Sequence, residues 1–353
     1  MTMAIGLDRL HDSGRYGMLI VGSSDAESAA KKPGISLVYA SGTDVNAKWN
    51  FGMPGDEALK HGWVLKDAAG ALMHNSAYPD NYVGDVGDVG FQQAWIRNVA
   101  AILRRTHAKG VFVDDVLRDV APLADGYPAK YPSQPAWAAA ELSFVRAVGP
   151  ALRRLGFYVL ASATGYTRGD NASDDGTTTV QWWRQLGPSV SGLAYEYFQQ
   201  SPAGTNQRRS AADSWDANWP GWERLVKTAQ SMNRAFVGMM YGPGGDRPTL
   251  MYGKASFLLD WNGKGGAFIY LPTDGVDTSS AIWATSIGAP AAPKHAVGVG
   301  WFRRYSGGVV VINPSATASQ AFSLGGAYVA PDGSRVRSVT LPPTTALILR
   351  AAR

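Results

Sequence analysis

The sequence predicts a (β/α)8 TIM barrel followed by a small all-β sandwich domain, and three observations predict it. Through about residue 285, short apolar runs alternate with longer amphipathic ones, the pattern of βα units and a parallel sheet. There are eight such short runs, the number that closes a barrel. Beyond the stretch Ile287 to Pro293, rich in Ala, Pro and Gly, only short β-like runs remain, separated by turns such as Pro331-Asp332-Gly333. The expected division is therefore a barrel over 1–288 and a β-sandwich over 295–353. An open doubly wound sheet is the alternative, but no Gly-rich phosphate loop follows the first strand.

The eight predicted strands are Tyr16 to Val21, Ile35 to Ala40, Trp63 to Lys66, Gly110 to Val113, Phe157 to Ser162, Leu193 to Tyr195, Ala235 to Met240 and Ala267 to Leu271. Helices are expected between most of them. Phe91 to Thr106 has Trp95, Val99, Ile102 and Leu103 at helical spacing, and Asp88 is placed to cap it. Ala136 to Leu155 repeats the pattern, with Gly149-Pro150 expected to interrupt it. Trp222 to Met232 and Leu250 to Leu259 follow. In the C-terminal part, Trp301 to Tyr305, Gly308 to Pro314, Val336 to Leu341 and Thr345 to Leu349 are among the strand-like runs.

Composition narrows the function classes. The 353 residues are 45% hydrophobic and 17% charged, ordinary for a globular chain with a large core. The net charge of +5 comes from scattered basic pairs and not from a run, so no nucleic-acid partner is expected. The absence of Cys excludes disulfides, thiolate metal sites and a Cys nucleophile. His residues show no metal spacing and Gly-x-Ser-x-Gly is absent, so neither a metal nor an organic cofactor is expected. No apolar run is long enough to span a bilayer. The N-terminal residues lack the pattern of a signal peptide, which leaves the compartment open between the cytoplasm and export by another route. A monomer or weak homo-oligomer is expected, with a larger assembly open.

In a barrel the chemistry sits at the C-terminal ends of the strands. Two of the polar residues that end apolar runs there stand out as carboxylates. Asp114 and Asp115 end strand four; by side-chain alternation, Asp114 shares the inward direction of Phe112 and Asp115 points to the flanking layer. Glu196 ends strand six among Tyr195, Tyr197 and Phe198, a setting expected to raise a carboxyl pKa by desolvation. Two carboxylates across a barrel mouth are the machinery of glycoside hydrolysis, retaining at a separation of roughly 5–5.5 Å and inverting at roughly 6.5–9.5 Å. Asp114 and Glu196 are the catalytic candidates. Asp115, Asp44, Lys66, Asp85, Ser162, Tyr195, Trp182 and Tyr241 are candidate substrate-binding residues. With twelve Trp in the chain, Trp183, Trp215 and Trp219 are further candidates for stacking on sugar rings. The polar stretch 165–179, with Arg168, Asp170 and Asp174, suits either a substrate rim or a plain surface loop.

Four segments resemble the glycoside-hydrolase-like (β/α)8-barrel families of bacteria. Trp63 to Gly70 is similar to their strand-three segment. Gly110-Val-Phe-Val-Asp-Asp115 resembles their strand-four motif, Pro188 to Phe198 the strand-six motif ending in Glu, and Lys254 to Leu259 the helix before strand eight. Gly308 to Ser315 resembles the β-domain that follows many such barrels. The resemblance implies a carbohydrate substrate, Asp114 as nucleophile or base, and Glu196 as general acid. The Asp after strand four is also similar to α-galactosidase and dextranase barrels, which leans toward retention on an α-linked substrate. Strand five departs from the pattern: it ends in Ser162-Ala163-Thr164 where many relatives have Asn or a carboxylate. A non-catalytic carbohydrate-binding barrel and a structural module of a phage tail or cell surface are the alternatives, since a fold does not fix a function.

Overall fold

A computed structural model describes residues 3–5, 17–46, 48–50, 52–164, 177–200, 208–212, 218–274 and 286–352. Trp215 and the loop carrying Arg168, Asp170 and Asp174 lie outside the described residues. The chain divides into two compact units, 1–171 with 178–195, and 172–177 with 196–353.

The first unit holds strands β1 (Met3–Ile5), β2 (Met18–Val21), β3 (Ile35–Ser41), the short β4 (Asp44–Asn46) and β5 (Asn81–Val83), β6 (Gly110–Leu117), β7 (Tyr158–Thr164) and β8 (Gly192–Tyr195). Its helices are α1 (Ala26–Ala30), α2 (Gly55–His61), α3 (Val89–Thr106), α4 (Ala121–Ala124), α5 (Gln134–Arg154) and α6 (Thr177–Leu186). Six strands pair in parallel in the order β1-β2-β3-β6-β7-β8, while β4 and β5 form a separate antiparallel pair. In this register Ser41 at the end of β3 lies beside Asp114 on β6. Gly110 starts β6 because any Cβ there would meet the Tyr158 carbonyl oxygen of β7 at 2.0 Å.

Asp88 caps α3 as expected, its carboxylate accepting the Phe91 N–H at 3.0 Å. The expected break in α5 does not occur: the helix runs through Gly149-Pro150 to Arg154. Gly149 is required there because the Ser189 carbonyl would lie 2.3 Å from a Cβ.

The strand count of eight holds, but its membership changes. Met3–Ile5 is an extra strand beside β2. Trp63 to Lys66 is not a sheet strand: Val64 bridges Gly84 and Lys66 bridges Leu72, antiparallel, while the Trp63 ring stacks on His61 and meets Phe91 edge-on. Gly110–Leu117 remains the fourth parallel strand.

The second unit adds α7 (Trp219–Ser231), β9 (Ala235–Gly242), α8 (Arg247–Asp260) and β10 (Ala267–Pro272), with β9 and β10 parallel. Six antiparallel strands follow: β11 (His295–Val297), β12 (Gly300–Tyr305), β13 (Gly308–Asn313), β14 (Gln320–Val329), β15 (Arg335–Leu341) and β16 (Thr345–Ala351), in the order β11-β12-β13-β16-β14-β15. They form one hydrogen-bonded sheet that becomes sandwich-like through β14, whose pairing with β15 shifts between Ser323 and Tyr328 around a left-handed Gly325. Phe302, Val309, Val311, Phe322, Leu324 and Leu349 fill the space between its halves. The other face of β13 and β16 packs on α8. Both faces of β13 are therefore buried, which explains its unbroken Val-Val-Val-Ile run. Lys294 ties the entry of this sheet to its unit through Glu223 (3.4 Å) and Asp260 (2.7 Å), with its ammonium over Trp219 and Trp301. Arg303 donates to the carbonyls of Leu258, Leu259 and Trp261 and so caps the C-terminus of α8. Six parallel strands in one unit and two in the other, alternating with helices and followed by an antiparallel sheet, are the elements of a (β/α)8 barrel with a C-terminal β domain.

Candidate active site

Side chains from β3, β4, β6 and β7 build a carboxylate cluster in the first unit. Asp114 stands at its centre. One oxygen accepts from the Tyr39 hydroxyl at 2.9 Å and the other from the Asp115 N–H at 3.0 Å, and the Ser162 hydroxyl is a third donor. Burial raises the Asp114 pKa, and the three donors oppose that rise. Asp114 as a whole residue is nonetheless only half-buried.

The strand is bulged at this point. Val113 pairs with Ala161 and Val116 with Ala163, so β6 carries one residue more than β7 between them. Asp115 takes up the extra residue at φ +53°, an unusual conformation for a residue with a side chain. The bulge alters the alternation expected from the sequence: Asp115 does not turn away, and its carboxylate accepts from Ser41, a neighbour of the same cluster, at 3.3 Å.

Asp44 is the second carboxylate of the cluster and is 4% exposed. Its Oδ2 accepts from Asn75 at 2.9 Å and Asn81 at 2.7 Å, and its Oδ1 is buried without a hydrogen-bond partner. Burial raises its pKa, the two Asn side chains lower it, and the charge of Asp114 raises it again. Asp44 and Asp114 therefore titrate as an interacting pair.

Behind this cluster lies Glu141 of α5, fully buried and without a cationic partner among the described residues. The Thr43 hydroxyl donates to the Asp115 carbonyl at 2.6 Å. Thr43 also faces the Glu141 carboxyl as donor in a longer contact at 3.4 Å. Burial pushes the Glu141 pKa well above the ordinary value against that contact, which favours the neutral acid. It supports the Thr43 turn and, through it, the bulge. Trp95 of α3 holds the same turn, donating to the Ser41 carbonyl at 3.0 Å.

The other sequence candidates fall elsewhere. Lys66 is exposed in the bridged loop. Asp85 is held by Lys130 and Tyr131, each at 2.5 Å, and is spent on that structural contact. Trp182 is 2% exposed, and Trp183 and Trp219 are as deeply buried, so no ring face of these three is free for a sugar. Tyr195 is buried at the end of β8, 6.2 Å from the Trp183 ring. In the second unit, Glu196 directly follows β8 and is half-buried. Tyr241 lies one residue before the end of β9, where its backbone pairs with the Gln200 side chain and its ring lies tilted, 4.9 Å from that of Tyr197. Tyr197 has φ +56° and an exposed ring.

Tyr39, Asn75 and Glu141 were not among the sequence candidates. Two of them had a signal. Tyr39 lies two residues before Ser41 on one strand and so shares its face. Glu141 falls in phase with Trp137, Phe144, Val145 and Val148, the buried stripe of α5.

A barrel-type sheet whose strand ends gather carboxylates defines the class: the protein is a glycosidase. Residues 39–309 match the family described as Hypothetical glycosyl hydrolase family 15, and the chain belongs to that family. The matched span includes Tyr39, Asp44, Asp114, Glu141, Ser162 and Glu196. No curated protein matches the sequence. Among solved structures, the chain resembles a noncanonic maltogenic alpha-amylase from Thermotoga neapolitana, with a TM-score of 0.56, 10% identity, and coverage of 100% of this chain and 99% of the other. It also resembles the alpha-galactosidase from Lactobacillus brevis, with a TM-score of 0.52 and 7% identity over 100% of this chain and 55% of that one. The chain thus spans about half the length of the Lactobacillus protein. At these identities the likeness is one of fold. Among the described residues, no helix is long and apolar enough to cross a membrane.

Proposed function

We propose that the protein hydrolyses O-glycosidic bonds of an α-linked oligo- or polysaccharide with retention of configuration. In this reading Asp114 is the nucleophile and Glu196 the general acid. The observation that carries it is the setting of Asp114: three converging donors that favour its ionised form, on a bulged strand end. The Asp114 carboxylate attacks the anomeric carbon as the glycosidic C–O bond breaks, and the Glu196 proton passes to the leaving oxygen. Glu196 then takes a proton from water, whose oxygen displaces Asp114 from the same carbon. Asp44, with its unpartnered Oδ1, binds a sugar hydroxyl beside the reacting centre. The α-linkage is supported by the two structural neighbours, one an alpha-amylase and one an alpha-galactosidase, and by the strand-four motif. Proton NMR of the first product from an α-glycoside tests this reading: the α-anomer appearing first supports it, and the β-anomer would make the enzyme inverting.

A further inference from the structure

The sequence places the sugar-stacking rings among Trp residues that the fold buries. Among the described residues of the first unit, the large exposed rings are different ones: Trp49 is 66% exposed and Tyr78 is 65% exposed. Six of the ten described Trp residues are buried, so rings left this exposed, on two loops that the Lys48–Asp80 ion pair joins, are a feature that folding alone does not need.

They are held together and tied to the carboxylate cluster. The Asn46 side-chain oxygen accepts the backbone N–H groups of Lys48 at 2.8 Å and Trp49 at 2.7 Å. Tyr78 is fixed from both sides: its N–H donates to the Asn75 carbonyl, and its own carbonyl accepts from the Asn81 N–H at 2.8 Å. Lys48 bridges Asp80 at 2.6 Å and joins the two loops. Asn46 donates to Asn81, while Asn75 and Asn81 both donate to Asp44. The asparagines that aim the Asp44 carboxylate, Asn75 and Asn81, thus also hold the backbone of Tyr78, and Asn46, which holds that of Trp49, reaches Asp44 through Asn81. Trp49 follows Asp44 by five residues, so its Cα lies within about 18 Å of that of Asp44.

We infer that Trp49 and Tyr78 form an additional glycan-binding surface, on which sugar rings of the bound chain stack beyond the residues that react. This rests on the reading of Asp114 as the reacting carboxylate. The ligand class is an uncharged glycan. The rings offer flat apolar faces for the C–H faces of pyranoses. Lys48 and Asp80 beside them pair with each other at 2.6 Å, so this pair offers no net charge to recruit an acidic polymer.

The test is affinity electrophoresis of the Asp114→Asn protein through native gels carrying soluble starch, dextran or galactomannan, compared with the same protein bearing Trp49→Ala or Tyr78→Ala. Both rings are exposed, so folding should survive, and thermal melting checks it. At least one glycan should retard the Asp114→Asn protein. Trp49→Ala should weaken that retardation roughly tenfold in apparent Kd, and Trp49→Phe should restore part of it. Unchanged retardation in both Ala variants would overturn the inference, and so would an absence of retardation in all three gels. Retardation without hydrolysis by the unsubstituted protein would remove the catalytic reading and leave this surface standing. Hydrolysis with retardation indifferent to both Ala changes would do the reverse.

Discussion

Glu141→Gln separates a neutral buried acid from a buried ion. Glutamine keeps the shape of the side chain, carries no charge, and presents an amide oxygen that accepts from Thr43 as the Glu141 carboxyl does. A carboxyl whose folded pKa is raised contributes stability that is fully present below its unfolded value and is lost as pH rises toward the folded value. For Glu141 the loss begins at the ordinary value of 4.5 and continues upward, since burial without a cation raises its folded pKa well above that point. One proton costs about 1.36 kcal/mol of unfolding free energy per pH unit inside that window. The variant has no such group. Its stability relative to the unsubstituted protein should therefore rise by up to about 2.7 kcal/mol between pH 5 and pH 7. Asp44, Asp114 and Glu223 also have raised pKa values, but they are present in both proteins and cancel in the difference. Urea unfolding of both proteins at pH 5, 6 and 7 reads the difference. Parallel stabilities across that range would refute the neutral-acid assignment.

Tyr39→Phe removes one of the donors to Asp114. It should lower kcat/KM roughly tenfold, and because a lost donor lets the Asp114 pKa rise further, the acid limb of the kcat/KM–pH profile should move to higher pH. Lys294→Met removes the cation that Glu223 and Asp260 share, leaving Glu223 buried without it and Asp260 with only Lys227 at 3.5 Å; thermal or urea unfolding should show a loss of about 3–5 kcal/mol. Gly110→Ala forces a Cβ to within 2.0 Å of the Tyr158 carbonyl. It should cost about 3 kcal/mol or more, read as lost soluble yield or a sharply lower Tm.

Most of the barrel was legible because its signal is local. Apolar runs ending in polar residues located β2, β3, β6, β7, β9 and β10 to within a few residues. The errors have particular causes. Trp63 to Lys66 reads as a strand because Trp, Val and Leu are strand formers, yet its partners are Gly84 and Leu72, and pairing is not written in a single run. Gly149-Pro150 reads as a break because the missing N–H is visible and the close approach of Ser189 is not. At the site, Asp114 followed from its place at a strand end. The bulge that turns Asp115 back into the cluster required an inter-strand register that no sequence period carries. Of the Trp residues proposed as sugar platforms, Trp182, Trp183 and Trp219 are buried for a general reason: large rings are most often core, and only exposure separates Trp49 from Trp182.

The central claim is that Asp114 and Glu196 hydrolyse an α-linked glycan. It is tested most directly by assaying starch, dextran, galactomannan and bacterial wall glycans with the unsubstituted protein, Asp114→Asn and Glu196→Gln, with circular dichroism confirming that each is folded. The account predicts hydrolysis of at least one α-linked glycan by the unsubstituted protein and a loss of at least about a hundredfold in both variants. Hydrolysis that survives either substitution would contradict it.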